Sequence, residues 1–235
     1  MNAKPLRIDI WSDLVCPWCW IGKHRLATAL EGMGPVDIHW HTFLLDPDAD
    51  TTPVPLREAY ERKFGGPEQV ARILAQTQST ANAEGLPMDF DRGQVRVSTR
   101  DAHRVMLLAA AEGDAQAVGE ALFRAHFEHG RNLADPEVLA AAAEAGGLSR
   151  ERVLAMLAGD EFQRELEAVF VQAQRIGIRA VPTFVIDGQL AVQGAQPAEA
   201  FRSAFAQIGH LPAAAVDADG SDGNGTACGP DGCAV

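Results

Sequence analysis

An α/β fold whose sheet is split by a long all-helical stretch is predicted by three observations. The first 45 residues read strand, helix, strand; strand character then vanishes for over a hundred residues; and it returns as a short hairpin before one last helix. The chain has 235 residues, 47% of them hydrophobic and 22% charged, which suits a soluble globular protein with ample core. Its formal charge of −12 argues against non-specific binding to nucleic acid or anionic membranes. No stretch approaches the roughly 20 apolar residues that cross a bilayer. Met1-Asn2-Ala3-Lys4-Pro5 leads into a strand without an apolar signal region, so a reducing cytoplasm is the expected compartment. There, four cysteines point to catalysis or metal binding rather than to a structural framework.

Each element has its own signal. Leu6, Ile8 and Ile10 alternate with Arg7, Asp9 and Trp11, which predicts the first strand. A helix follows from about Pro17 to Glu31, ended by Gly32 or Gly34, with Pro35 forbidding continuation. Val36 to Phe43 alternates again as strand two. Helices are then expected over Pro67 to Ala83, after the Ser98-Thr99 cap, over Asp114 to His129, from Asp135-Pro136-Glu137 to Gly146-Gly147, and over Ser149 to Ala158. Asp160-x-x-Gln163 has the form of a capping box opening a helix to Ile176, which Gly177 closes. Thr183-Phe184-Val185-Ile186 and Leu190-Ala191-Val192 form a hairpin about Asp187-Gly188, and Pro197 opens the last helix. From Pro212 onward the chain is Ala, Asp, Gly, Ser and Asn, too polar to order itself, and reads as a flexible tail.

The chemistry concentrates at Cys16-Pro17-Trp18-Cys19, where strand one gives way to the first helix. Open α/β sheets carry their chemistry at the carboxyl ends of strands. Unpaired N–H groups at a helix start favour thiolate over thiol. Cys16, at the very start of the helix and expected to be exposed, is read as the nucleophile. Cys19, one turn inside, is read as the resolving thiol. Two buried packing cysteines, or half of a zinc site, form the alternative, and the strand–helix context favours the redox pair.

The order β-α-β, helical block, α-β-β-α is that of a thioredoxin-like fold with an all-helical insertion between its two halves. On this reading residues 6–45 and 160–209 form the thioredoxin-like domain, 46–159 the insertion and 210–235 the tail. The chain resembles the DsbA-like thiol–disulfide oxidoreductases, and among them the FrnE-type cytosolic branch. The resemblance runs over about residues 6 to 209. It rests on Ser12-Asp13-Leu14-Val15-Cys16-Pro17-Trp18-Cys19-Trp20-Ile21-Gly22, Phe43-Leu44-Leu45-Asp46-Pro47, Thr99-Arg100-Asp101-Ala102-His103-Arg104 and Gly177-Ile178-Arg179-Ala180-Val181-Pro182-Thr183-Phe184.

That resemblance implies an enzyme acting on protein thiols or disulfides, as reductase or isomerase in a reducing cytosol and as oxidant under stress. It implies no cofactor beyond the redox-active disulfide, with glutathione or a thioredoxin-type donor as co-substrate. A lone proline before a strand is more often an edge or turn residue. The resemblance instead makes Val181-Pro182 a cis bond beside the cysteines, leaving the Val181 backbone to pair with a substrate strand. Trp18 stands where better-known relatives have His or Pro. With no imidazolium beside the thiolate, a weaker oxidant is expected, and Trp18 becomes a candidate substrate surface. A glutathione-dependent isomerase or kappa-type transferase is the alternative; those proteins typically have Ser at the position of Cys16 and lack the second cysteine. A redox-sensing or metal-buffering scaffold is a third reading.

The remaining polar residues receive blander readings. Lys23 and His24 are expected on the exposed helix surface. His39 and His41 share a strand face with only Asp37 in support, so no metal site is assigned, and His103, His126 and His129 receive no role. Trp11, Trp20 and Trp40 are read as packing residues. Cys228 and Cys233 flank Gly229-Pro230-Asp231-Gly232, a strong turn former that lets a disulfide close. Three readings of that pair stay open: a second redox pair exchanging with Cys16 and Cys19, an oxidant- or metal-sensitive site completed by other groups, or an inert tail.

Overall fold

The structure, a computed structural model, describes residues 5–210. The expected tail, and with it Cys228 and Cys233, lies outside the described residues. Strand β1 (Leu6–Ser12) runs into α1 (Pro17–Leu30), which returns to β2 (Val36–Thr42), paired parallel to β1 from Leu6↔Val36 to Ser12↔Thr42. On the other side of β1 lies β5 (Thr183–Ile186), antiparallel, followed at the edge by β6 (Leu190–Gln193), so the sheet order is β2-β1-β5-β6. The hairpin turns as its sequence requires. Asp187 and Gly188 both adopt positive φ (49° and 69°), and Gln189 N–H bonds the Ile186 carbonyl at 2.9 Å.

Alternation in β1 sends Ile8 and Ile10 to one face, where they meet Leu26 of α1, Phe184 and Ile186 of β5, and Phe201 and Phe205 of α9 (Ala198–Gln207). The other face is covered too, because Trp11 joins a larger cluster shared with the helices that lie between β2 and β5. Asp9 is therefore a carboxylate under cover. Burial opposes its ionisation, but hydrogen bonds from Arg7 and His41 (2.7 Å each) outweigh it and hold the carboxyl below its ordinary value.

The intervening segment contains α3 (Pro67–Ala83), α4 (Arg100–Glu112), α5 (Ala115–Phe127), α6 (Pro136–Ala143), a 3₁₀ turn (Glu144–Gly146), α7 (Arg150–Ala158) and α8 (Gln163–Arg175). Asp114, Asp135 and Ser149 cap α5, α6 and α7 through their side chains, whereas at the expected Ser98-Thr99 cap Thr99 is the N-cap of α4 but makes no side-chain cap bond. Fully buried Ala102, Ala109, Ala140 and Ala143 let these helices approach closely.

Three further expectations need correction. The stretch before Pro67 holds a further helix, α2 (Leu56–Phe64), and a short strand β3 (Val54–Pro55), which pairs antiparallel with β4 (Val95–Arg96) beyond α3 as a two-stranded ribbon. Flanking prolines and a mostly charged sequence masked the Leu56, Tyr60, Phe64 stripe that is its apolar face. The expected capping box does not form: α8 starts at Gln163 with Phe162 at φ 64° as N-cap and no side-chain cap. The turn before it is pinned instead by Arg104 of α4, whose guanidinium donates to the carbonyls of Met156, Gly159 and Glu161 at 2.7–2.9 Å. Lys23 is not a free surface residue; it reaches Glu120 of α5 at 2.6 Å.

His126 of α5 is fully buried. Neither ring nitrogen has a well-formed hydrogen bond, and the Arg131 main chain offers only a marginal one. Burial pushes the imidazole down to about 4, so the folded state keeps it neutral where the unfolded chain would protonate it. Between the ordinary histidine value and about 4, the unfolded state thus binds more protons, and stability falls as pH falls. Folding is expected to weaken by on the order of 2 kcal/mol between about pH 7 and pH 5. Urea unfolding at both pH values reads this directly, and His126→Phe should flatten the slope.

Candidate active site

The two cysteines sit at the head of α1. Cys16 is its N-cap, with extended backbone (φ −92°, ψ 111°), and Pro17 occupies the first turn, where its missing N–H costs nothing. Cys16 N–H donates to the Asp13 carbonyl at 3.1 Å, and Cys19 N–H to the Cys16 carbonyl at 3.0 Å. Both thiols are free. Their spacing of three residues on one helical turn is what a reversible disulfide requires.

The structure overturns the expected exposure of Cys16: it is 1% exposed and Cys19 2%. Both belong to the larger core cluster, which the helical segment completes around Leu14, Trp20 and Val181. The expected thiolate is overturned with it. Burial pushes the Cys16 thiol well up, the Cys19 thiol and the Asp13 charge add to the rise, and the helix-start backbone opposes it too weakly to win. Desolvation of a whole charge exceeds the partial charge of one helix end.

Val181-Pro182 is cis, as the resemblance implied. Its proximity to the cysteine helix follows from Gly22, one turn past Cys19. A methyl placed there would stand 3.0 Å from Pro182 Cγ and 3.1 Å from Phe184 Cζ, so a side chain at this position would have to push the segment a few tenths of an ångström away from α1. Val181 itself is buried, and Trp18 is half-buried against the same cluster. A narrow cleft of about 80 Å³ lies beside the motif, lined by Val15, Leu45, Leu56, Tyr60, Lys63 and Arg96. Burial above all raises the Tyr60 phenol far above its ordinary value, so its hydroxyl stays a donor. Burial lowers the Lys63 ammonium, while Arg96 is tied to Asp46 at 2.5 Å.

Two residues without an expected role belong to this site. The fully buried Asp13 carboxylate accepts the Leu45 N–H at 2.8 Å and faces His103 of α4 at 3.4 Å. Three of the four motifs quoted from the sequence therefore meet at one side chain: the cysteine loop, the Phe43-Leu44-Leu45-Asp46-Pro47 segment and the helix carrying His103. Asp13 and His103 stood inside those motifs; a polar residue three before a cysteine carries no spacing signal of its own. His39 and His41 do not share a site, since His39 pairs with Asp37 (2.8 Å) and His41 with Asp9 while stacking on Trp11. Trp20 packs as expected, stacked with Phe123 and Phe127.

Comparison with known proteins agrees with this geometry. The DSBA-like thioredoxin domain family matches residues 7–206. The chain is 36% identical to a probable DsbA oxidoreductase from Streptomyces coelicolor, with a TM-score of 0.81 over 98% of this chain and 99% of that one. The cytosolic disulfide reductase DsbM from Pseudomonas aeruginosa, solved also with GSH, shares the fold at 22% identity and a TM-score of 0.61, over 86% of this chain and 99% of its own. A 2-hydroxychromene-2-carboxylate isomerase shares it at 18% identity and a TM-score of 0.65, over 86% and 95%. With the family match spanning most of the chain and the paired cysteines placed at the head of α1, the protein belongs to the DSBA-like thioredoxin domain family.

Proposed function

We propose that the protein is a thiol–disulfide oxidoreductase or isomerase that acts on protein thiols and disulfides in the cytoplasm, cycling Cys16 and Cys19 between dithiol and disulfide. The observation that carries this reading is the pair of free thiols on the first turn of α1, with the Pro182 segment packed against the same helix. The raised Cys16 thiol sets a direction. A strong oxidant draws its power from a stabilised thiolate in the reduced form, and burial here withholds that stabilisation. The couple therefore favours reduction or isomerisation of substrates, recharged by glutathione or a thioredoxin-type donor. Cys16 attacks a substrate disulfide, and Cys19 displaces the product from the mixed disulfide. Trp18 and the main chain of Val181 serve the substrate once the side chains covering them give way, and the cleft beside Val15 takes a neighbouring substrate side chain.

Insulin-disulfide reduction with glutathione or a thioredoxin-type donor tests the reading. Reduction supports it, whereas formation of a glutathione conjugate with a small electrophile, and no insulin reduction, would favour the isomerase or transferase chemistry. The Cys228–Cys233 pair is proposed to exchange with Cys16–Cys19 as a second redox pair, within one chain or between two. Truncation after Leu211 is expected to slow recharging and to remove a disulfide formed on mild oxidation. Unchanged kinetics, with no tail disulfide by mass spectrometry, would make the tail inert.

A further inference from the structure

Nearly two turns beyond Cys19, half-buried Arg25 joins α1 to two other parts of the chain. Its Nε donates to the two carboxylate oxygens of Glu84 at 2.8 and 3.0 Å, and its Nη2 donates to Oε1 of the same group. Its Nη1 donates to the main-chain carbonyl of Ala195. Glu84 is the C-cap of α3, so this fork reaches into the helical segment between β2 and β5. Ala195 lies just after β6, and the N–H of its neighbour Gly194 donates to the Pro182 carbonyl at 2.8 Å. One guanidinium is thereby connected, through two adjacent residues, to the main chain of the Val181-Pro182 segment.

Two observations set this joint apart from an ordinary surface ion pair. A helix C-terminus carries partial negative charge, so a carboxylate placed there is unfavourable unless a cation meets it. The last turn of α3 has no basic residue, and Arg25 supplies that cation from another helix. The second observation concerns Gly22, three residues before Arg25 and adjacent to it on α1. Lacking a side chain, Gly22 lets Pro182, Phe184 and Ala195 approach closely but has no group that fixes them. Among the described residues, the bond from Arg25 to Ala195 is the one side-chain hydrogen bond that α1 makes to residues 180–196.

We propose that Arg25, locked by Glu84, is a positioning residue for protein substrates: it holds the Gly194-Ala195 turn, and through it the Val181-Pro182 main chain, in register with the cysteine helix. The inference rests on the redox reading above. Arg25 makes no hydrogen bond to either cysteine, so its role is not in the exchange itself. It sets where an extended substrate paired with Val181 lies relative to the Cys16 sulfur, and misplacing reacting groups by about 1 Å costs up to about a hundredfold in rate. A small disulfide that makes no main-chain pairing does not depend on this register.

Arg202 of α9 is the control. Its Nη2 donates to the Thr28 carbonyl at 2.9 Å, another side-chain tie to α1, and its contact with Glu199 likewise lies outside residues 180–196. Reduction of insulin and of bis(2-hydroxyethyl) disulfide by the reduced full-length protein is measured in single turnover, alongside urea unfolding. Arg25→Gln is expected to lower the insulin rate about tenfold while changing the small-disulfide rate less than about twofold. Glu84→Gln should lower the insulin rate about threefold, because the guanidinium keeps Ala195 but loses its anchor. Arg202→Gln should be destabilised in urea and keep both wild-type rates. Equal losses on the two disulfides in Arg25→Gln, wild-type insulin rates in it, or an insulin loss in Arg202→Gln as large as in Arg25→Gln would each overturn the positioning role. If Arg25→Gln does not fold, Arg25→Lys and Glu84→Gln carry the test, and wild-type insulin rates in both overturn it equally. A wild type that reduces the small disulfide but not insulin overturns the role of Arg25 and leaves the redox pair standing. A wild type that reduces neither overturns the redox reading itself, and this role with it.

Discussion

Cys16→Ser is expected to reduce insulin-disulfide turnover to the uncatalysed level, while Cys19→Ser is expected to accumulate mixed disulfides with its substrates. The first cysteine of the pair is the N-cap of α1, and its sulfur forms the bond to substrate; a hydroxyl there has neither the acidity nor the nucleophilicity of a thiol. Cys19 lies one turn inside the helix with its N–H on the Cys16 carbonyl, placed to attack the Cys16 sulfur and release the product. Removing it leaves the first half-reaction intact and blocks the second. Non-reducing electrophoresis and mass spectrometry after incubation with oxidised insulin distinguish the variants. Trapping by Cys16→Ser, with none by Cys19→Ser, would exchange the two roles. Because Cys16 is buried, alkylation of the reduced wild type is also expected to be slow compared with an exposed thiol, and faster in the presence of denaturant.

The largest effect on stability is expected at Trp20. Its indole is fully buried, stacked on Phe123 at 6.2 Å and Phe127 at 5.9 Å between ring centroids, and its Nε1 donates to the Glu120 carboxylate at 3.2–3.3 Å. Glu120 is half-buried. Burial alone would raise its carboxyl, but Lys23, Trp20 and Arg124 hold it below its ordinary value. Trp20→Ala empties a volume that α1 and α5 cannot close and takes one donor from a carboxylate under cover; the expected loss is about 3–5 kcal/mol in urea unfolding. Trp20→Phe keeps much of the aromatic packing and loses the hydrogen bond, so its cost should be smaller, about 1–3 kcal/mol. The residue follows Cys19 directly, and the same measurement on insulin reduction shows whether loosening this joint also disturbs the redox pair. Equal, near-zero losses in both variants would mean that the α1–α5 joint contributes little to folding.

The sequence by itself determined the parts of this protein written in local patterns. The alternation of Leu6, Ile8 and Ile10, the Asp187-Gly188 turn and the spacing of Cys16 and Cys19 each act within a few residues, and each appears where expected. The family motifs, too, were legible as strings. What those strings do was not, because it depends on which residues the chain returns to one place. The exposure of Cys16 was misjudged for this reason: a helix start is open in isolation, and here residues 40 to 165 positions further along the chain close over it. Once covered, the thiol follows the cost of desolvating a charge, which no window of sequence reports. Asp13 meets Leu45 and His103, 32 and 90 positions away, and Arg104 replaces an expected cap by reaching carbonyls more than 50 positions ahead. Local hydrogen bonding and periodicity settle the elements; burial and long-range pairing settle what the site's charges are, and only the tertiary structure supplies those.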